Sequence, residues 1–341
     1  MTPSFSTQLQ KAMAFVLILL SFSLVACQPA PEVPTAEKDN ISVQLGWIHE
    51  YSSAGVYAAE KNGHFSAQNL NVTLVEGGFN EAGFIDPIAQ VLDGQADFGV
   101  SDGVSMLLAR ESGKPVIAIS TILQLSPLAV ISLSEDSILR PQDLVGKTVT
   151  VSDGGARAVF DTFILSQNID PTSVNVIPRT SFGIEPLING EVDALVGWVI
   201  NEGVQIREAG FEPNFILPSD YGINTYDTVL FTTETTIQEK PELVERFLRA
   251  LFQGLEDVVS NPDQAIDYTL QYNPSLVREE QLRRLQASLP LIKPAGSQPG
   301  VMKGEVWEAT YAIVFDQGIL SAPLDINTVY TLAFLEQIYG K

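Results

Sequence analysis

Two stretches of this chain follow one pattern. "VLDGQADFGVSDG", Val91 to Gly103, and "LINGEVDALVGWVINEG", Leu187 to Gly203, each carry a hydrophobic residue, a glycine three residues before an aspartate, and then a short apolar run. A glycine at a helix end takes positive φ without a Cβ penalty, and an aspartate can accept from the turn before a strand. Gly94 with Asp97 and Gly190 with Asp193 therefore read as helix-to-strand corners. A single corner of this kind is a common turn. Two in matched order constrain the chain to two similar halves.

The segments around the corners repeat as well. "ISVQLGW", "SAGVYAAEKNGHF", "NVTLVEG", "IDPIAQVLDGQ" and "ADFGVSD" read as strand, helix, strand, helix, strand. "TVTVSD", "ARAVFDTFILSQN", "VNVIPRT", "GIEPLINGE" and "VDALVGW" read in the same order. Such alternation marks an α/β fold. "GVSMLLARESGK" and "NEGVQIREAG" extend each half by a helix, and "PVIAIST" and "LAVISL" read as further strands. From "YDTVLFTTETTI" onward the chain reads as mostly helical. In "PELVERFLRALFQGLEDVV", Pro241 suits a first helical position and Leu243, Phe247, Leu248, Leu251 and Leu255 line one face. These helices are expected to return to the first half. The expected lobes are 41–133 with 229–341, and 134–228. The chain would cross between them near Leu133–Ile138 and near Tyr226–Phe231, which makes a hinge.

The N-terminus reads as a processing segment. Lys11 precedes the apolar "AMAFVLILLSFSLVAC", which is short for a membrane span but suits a secretory signal. "LVAC" resembles a bacterial lipobox. That resemblance implies a signal over 1–26, cleavage before Cys27 and a lipid on its sulfur, which would hold the protein on the outer face of the cell membrane. The other reading is an ordinary signal with a stray cysteine. The Pro-rich stretch that follows suggests a flexible tether over 27–40. One cysteine excludes an intramolecular disulfide and a cysteine-cluster metal site. With 19 basic against 41 acidic residues the net charge is -22, which repels phosphate backbones, so no nucleic-acid partner is expected.

"LGWIHEYSSAGVYAAEKNGHFSAQNLNVTLVEGG" resembles the opening of the pyrimidine-precursor branch of ABC-transporter substrate-binding proteins, and "LDGQADFGVSD", "DLVGKTVTV", "INGEVDALVGWVINEGVQI" and "KPELVERFLRAL" fall in that family's order. The resemblance spans about Ile41 to Gly318. It implies a two-lobed periplasmic-binding-protein fold of type II, with a ligand between the lobes and permease and ATPase partners. The same scaffold serves aliphatic sulfonates, nitrate, thiamine pyrimidine precursors and riboflavin.

Ligands of open α/β sheets sit at the carboxyl ends of strands. Trp47, His49 and Tyr51 follow the first strand, and such rings suit a flat heterocycle. Trp47 packing in the core and His49 in solvent are the alternatives. Asn80 is a further candidate. Asp102 either faces the ligand or caps the next helix. Gly154 and Gly155 open a helix whose N–H groups suit a carbonyl or anion, with Arg157 nearby on the helix. Trp198, Asn201 and Glu202 end the second block; a carboxylate accepts from an amine or ring N–H and Asn both donates and accepts. Glu202 could instead support the helix start. Tyr221, Asn224 and Tyr226 precede the return crossing and could close the cleft. The set is aromatic and acidic, which favours a neutral or cationic ring over a sulfonate or nitrate. A thiamine-type pyrimidine is expected first and riboflavin second.

The family's fold also occurs in a fungal pyrimidine synthase, which relies on a cysteine-rich iron-binding segment. Here there is one cysteine, and His49 and His64 are the only histidines. No phosphate loop, nucleophile triad or metal spacing stands out, so neither a cofactor nor catalysis is expected; the alternatives are a sulfonate- or nitrate-type receptor and, after it, a lipid-anchored enzyme of pyrimidine metabolism.

Overall fold

The computed structural model describes residues 37–340 except 82, 153–154 and 180–182. The expected signal, Cys27 and the expected tether up to residue 36 lie outside the described residues, as does Gly154.

The chain runs through β1 (Asp39–Gln44), α1 (Ala54–Lys61), β2 (Leu70–Val75), the short β3 (Phe79–Asn80) and β4 (Gly83–Phe84), α2 (Pro87–Leu92), β5 (Phe98–Ser101), α3 (Gly103–Glu111) and β6 (Val116–Thr121). It continues with β7 (Leu128–Leu133), β8 (Thr148–Val151), α4 (Gly155–Ser166), β9 (Asn175–Pro178), β10 (Ala194–Trp198), α5 (Glu202–Glu208) and β11 (Pro213–Ile216). It closes with β12 (Val229–Thr233), α6 (Pro241–Ser260), α7 (Pro262–Tyr272), α8 (Arg278–Ile292), α9 (Gly304–Asp316) and α10 (Ala333–Tyr339).

Two five-stranded mixed sheets form, ordered β2-β1-β5-β12-β6 and β11-β7-β10-β8-β9. Each has three parallel strands, then a strand antiparallel to them. That fourth strand is in both cases the one by which the chain enters from the other sheet, β12 in the first and β7 in the second. β7 pairs with β10 and β11, so the first crossing falls before Leu128 and not after Leu133 as expected from sequence. β11 and β12 are strands that the sequence pattern does not separate from their surroundings.

The duplicated corner is present in both halves. Gly94 and Gly190 have φ of 71° and 72°. The expectation that each aspartate accepts from its own turn is not met. Each reaches the neighbouring parallel strand: Asp97 Oδ2 accepts from Ser42 N at 2.8 Å in β1, and Asp193 Oδ2 from Thr148 N at 2.8 Å in β8. The Asp97 and Asp193 N–H groups donate back to the Ser42 and Thr148 carbonyls. One device thus fixes the strand register in each lobe.

The first sheet is covered by the C-terminal helices. Leu243, Phe247, Leu248, Leu251 and Leu255 of α6 are all buried, and Phe247 stacks on Phe98 with ring centroids 4.2 Å apart. The second sheet has two apolar faces in period-two alternation. Ala194 and Val196 of β10 face Phe160 and Phe163 of α4, while Leu195 faces Leu187 and Ile206. Ile313 of α9 adds to the first of these clusters. Among the described residues no helix is long and apolar enough to cross a membrane, and no acidic, His or Cys group is arranged to hold a metal.

Candidate functional site

Register puts each crossing segment at the carboxyl edge of a sheet. Val229 of β12 lies opposite Ser101, the last residue of β5, and Leu128 of β7 lies opposite Trp198, the last residue of β10. The residues just before Val229 and Leu128 therefore lie beyond the carboxyl ends of β5 and β10. The two crossing segments run together there. Ile122 N donates to Thr228 O at 2.8 Å and Ser126 N to Asn224 Oδ1 at 2.9 Å.

On the first lobe, Trp47 is 43% exposed and edge-on to Phe79 at 5.7 Å; Phe79 in turn meets Phe84 edge-on at 5.5 Å. Phe79 and Phe84 pair across the β3–β4 hairpin and are 68% and 52% exposed. Asn80 is exposed on the same hairpin. His49 turns into an aromatic cluster instead: its Nδ1 lies 2.8 Å from the Tyr57 hydroxyl and its ring stacks on Tyr272. Burial lowers its pKa, opposed by the Glu76 carboxylate. Tyr51 is buried. Its N–H donates to Gln281 Oε1, and its hydroxyl donates to Asn201 Oδ1 at 2.7 Å, bridging the lobes.

The helix starts account for two further candidates. Asp102 caps α3, accepting from Ser105 N at 2.9 Å and from Ser105 Oγ at 2.6 Å, so the capping alternative describes it. Gly155 opens α4, and a Cβ there would lie 3.4 Å from Val104 Cγ2 on α3. The two helix N-termini, one from each lobe, thus meet. Arg157 is engaged by Asp161 one turn along its own helix.

Glu202 departs from expectation. Its position after a strand suggests an acceptor for a ligand amine, but the structure gives both its oxygens to the protein. Oε1 lies 2.8 Å from Arg179 Nη2, and Oε2 accepts from Trp198 N at 2.8 Å. Both side chains are nearly dry, at 5% and 8% exposure. Gly197 makes room for the carboxylate, since a Cβ there would sit 2.8 Å from Glu202 Cδ. Trp198 is half-buried and packs against both lobes' cores. Tyr226 departs too. It is buried in the first lobe beside Trp307, its hydroxyl accepts from Lys303 N at 2.7 Å, and burial pushes its pKa up to about 12. Tyr221 is exposed and edge-on to Phe163.

Sequence reasoning missed Phe79, Phe84 and Asp227. The phenylalanines sit in "EGGFNEAGF", where glycines on both sides of two aromatics are a hairpin signal. Asp227 follows Tyr226 on the return crossing. Its Oδ2 is enclosed without a protein partner, although part of the residue is exposed. Burial pushes its carboxyl up to about 7, with Ser126 hydrogen bonding in the opposite sense and Asp102 adding to the rise.

A profile of the family described as NMT1/THI5 like matches residues 50–265. The riboflavin-binding protein RibY of Chloroflexus aurantiacus is 27% identical over 93% of this chain and 96% of its own length. The formylaminopyrimidine-binding protein of Halalkalibacterium halodurans is 28% identical over 86% and 89%. The 4-amino-5-hydroxymethyl-2-methylpyrimidine phosphate synthase of Legionella pneumophila is 23% identical over 87% and 93%. Among solved structures, the putative periplasmic sulfonate-binding protein SsuA of Methylobacillus flagellatus superposes with a TM-score of 0.69 at 14% identity, covering 89% of this chain and 94% of that one. This last likeness establishes the periplasmic-binding fold.

Proposed function

The chain belongs to the NMT1/THI5-like family, and from that premise we propose that it is the solute-binding receptor of an ABC importer for a planar nitrogen heterocycle. The observation that carries the ligand class is the exposed Trp47–Phe79–Phe84 group beside the carboxyl edge of the first sheet. Adjoining exposed rings of this kind are characteristic of binding surfaces, and their faces suit a flat ring. The relatives that bind riboflavin and formylaminopyrimidine support the same class. Of the two, the broad aromatic rim favours riboflavin, whose fused ring system offers the larger face; this reverses the order expected from sequence.

Binding would draw the lobes together, and contacts such as Tyr51–Asn201 would hold the closed form presented to the permease. Titration of the purified chain with riboflavin and with 4-amino-5-hydroxymethyl-2-methylpyrimidine tests the proposal. One of them is expected to bind unchanged, and replacing Trp47 or Phe79 by Ala should each weaken it about tenfold, the order expected of one lost aromatic contact. Binding of an aliphatic sulfonate in their place would overturn the ligand class. Chemical conversion of the bound heterocycle would favour an enzyme, the role named for the Legionella relative.

The lipid anchor at Cys27 belongs to the same proposal. Cys27→Ser should shift the protein from the membrane pellet to the soluble fraction and abolish incorporation of a labelled fatty acid. Labelling that persists in this variant would remove Cys27 as the attachment point.

A further inference from the structure

Asp227 occupies the strip between the two sheets. It stands two residues before Val229, which pairs with Ser101 at the carboxyl end of β5. Three surroundings define the place. The Asp102 cap of α3 lies on one side, close enough for its charge to be felt. Ser126, on the other crossing segment, is close enough to the carboxyl to favour its ionised form. The preceding peptide is fixed because Tyr226 O accepts from Gly103 N at 2.8 Å. Asp227 Oδ2 is nevertheless enclosed and meets no protein donor. Buried polar oxygens are almost always hydrogen-bonded, so an oxygen left over at such a place points to a further partner.

We propose that Asp227 recognises the ligand directly, its carboxyl pairing as a neutral acid with a donor–acceptor edge of the heterocycle, either a cyclic amide or imide or an aminopyrimidine amidine. A protonated carboxyl presents one O–H donor beside one C=O acceptor, which matches N–H beside C=O and equally ring N beside an amino group. With the amide, the proton stays on the acid. With the amidine it can move to the ring nitrogen. In both cases the complex holds one proton more than the separate carboxylate and neutral ligand, so its stability depends on pH. Burial above all keeps the proton on the acid. The Asp102 carboxylate adds to this, and Ser126 acts in the opposite sense. Arg157 is engaged by Asp161, and Lys303, whose backbone N–H serves the hydroxyl of the neighbouring Tyr226, has its ammonium paired with Glu305 at 3.5 Å.

This inference rests on the receptor reading above, and one experiment separates the two. The affinities of riboflavin and of 4-amino-5-hydroxymethyl-2-methylpyrimidine are measured between pH 5.5 and 8.5 for the intact chain, Asp227→Asn and Asp227→Ala. The ligand that binds should lose affinity about tenfold per pH unit above neutrality in the wild type. Asp227→Asn, which keeps a neutral donor beside an acceptor, should flatten that loss and so expose any titration of the ligand itself. Asp227→Ala should bind at least tenfold more weakly at pH 6. Parallel profiles for wild type and Asp227→Asn, or wild-type affinity in Asp227→Ala, would overturn the inference and leave the receptor reading standing. Failure of the wild type to bind either heterocycle at any pH would overturn both.

Discussion

Glu202→Ala should destabilise the protein by about 3–5 kcal/mol, the range for removing one partner of a buried ion pair. The reason is the guanidinium left behind. Arg179 is 5% exposed, and its Nη1 already donates to Val196 O at 2.9 Å, so it cannot swing out to water without breaking β10's support. The variant also strips the acceptor from Trp198 N, at the end of β10. Glu202→Gln keeps that acceptor and the shape but not the charge, and should cost less, about 1–3 kcal/mol. Urea midpoints at neutral pH, with unchanged m values, measure both. Wild-type stability in Glu202→Ala would mean that the pair is absent in solution and would return Glu202 to the group of free ligand acceptors. The distinction matters for any binding assay, because weak binding by this variant would otherwise be read as loss of a ligand contact.

What could be read from sequence divides along the range of the interactions. The Gly94–Asp97 and Gly190–Asp193 corners were legible because a positive-φ glycine before a strand is a local event. Their use was not legible, because Ser42 and Thr148 lie about fifty residues away and become neighbours only through parallel pairing. The helical face of α6 was legible from spacing alone. The sheet to which β7 belongs was not, because "LAVISL" suits either sheet and antiparallel pairing with β10 decides the matter. The same division runs through the site. Asn201 and Glu202 stand out by their place after a strand, but nothing in the sequence ties Arg179 to them, and it changes what Glu202 can do. Tyr226 looks like a cleft residue by position, yet its ring packs near Trp307, far along the chain. Asp227, one residue further, has no composition or spacing to mark it. Only the enclosure of its carboxyl does so.

That enclosure should also make Asp227→Asn more stable than the wild type in alkaline but not in acid solution. The folded chain holds the Asp227 proton up to about pH 7, against an unperturbed value of 3.8. Between these values the folded state binds more protons than the unfolded state, so this group's contribution to stability is full below about pH 4 and is lost as pH rises to about 7. A tenfold change in proton affinity is worth about 1.4 kcal/mol, so an affinity raised roughly a thousandfold sets a ceiling of about 4 kcal/mol. Above pH 7 the wild type must keep a carboxylate enclosed and near the Asp102 carboxylate, whereas an amide escapes both costs. The difference in unfolding free energy between Asp227→Asn and wild type should thus grow in the variant's favour from pH 4 to pH 8. Groups that titrate in both proteins, His49 among them, cancel in that difference. A difference that stays constant over the range would show that Asp227 ionises freely, and the neutral-acid pairing with a ligand would go with it. If the difference does grow, the chain carries an acid on its return crossing that an isosteric amide would make safer, which is the pattern of a residue retained for binding at the expense of stability.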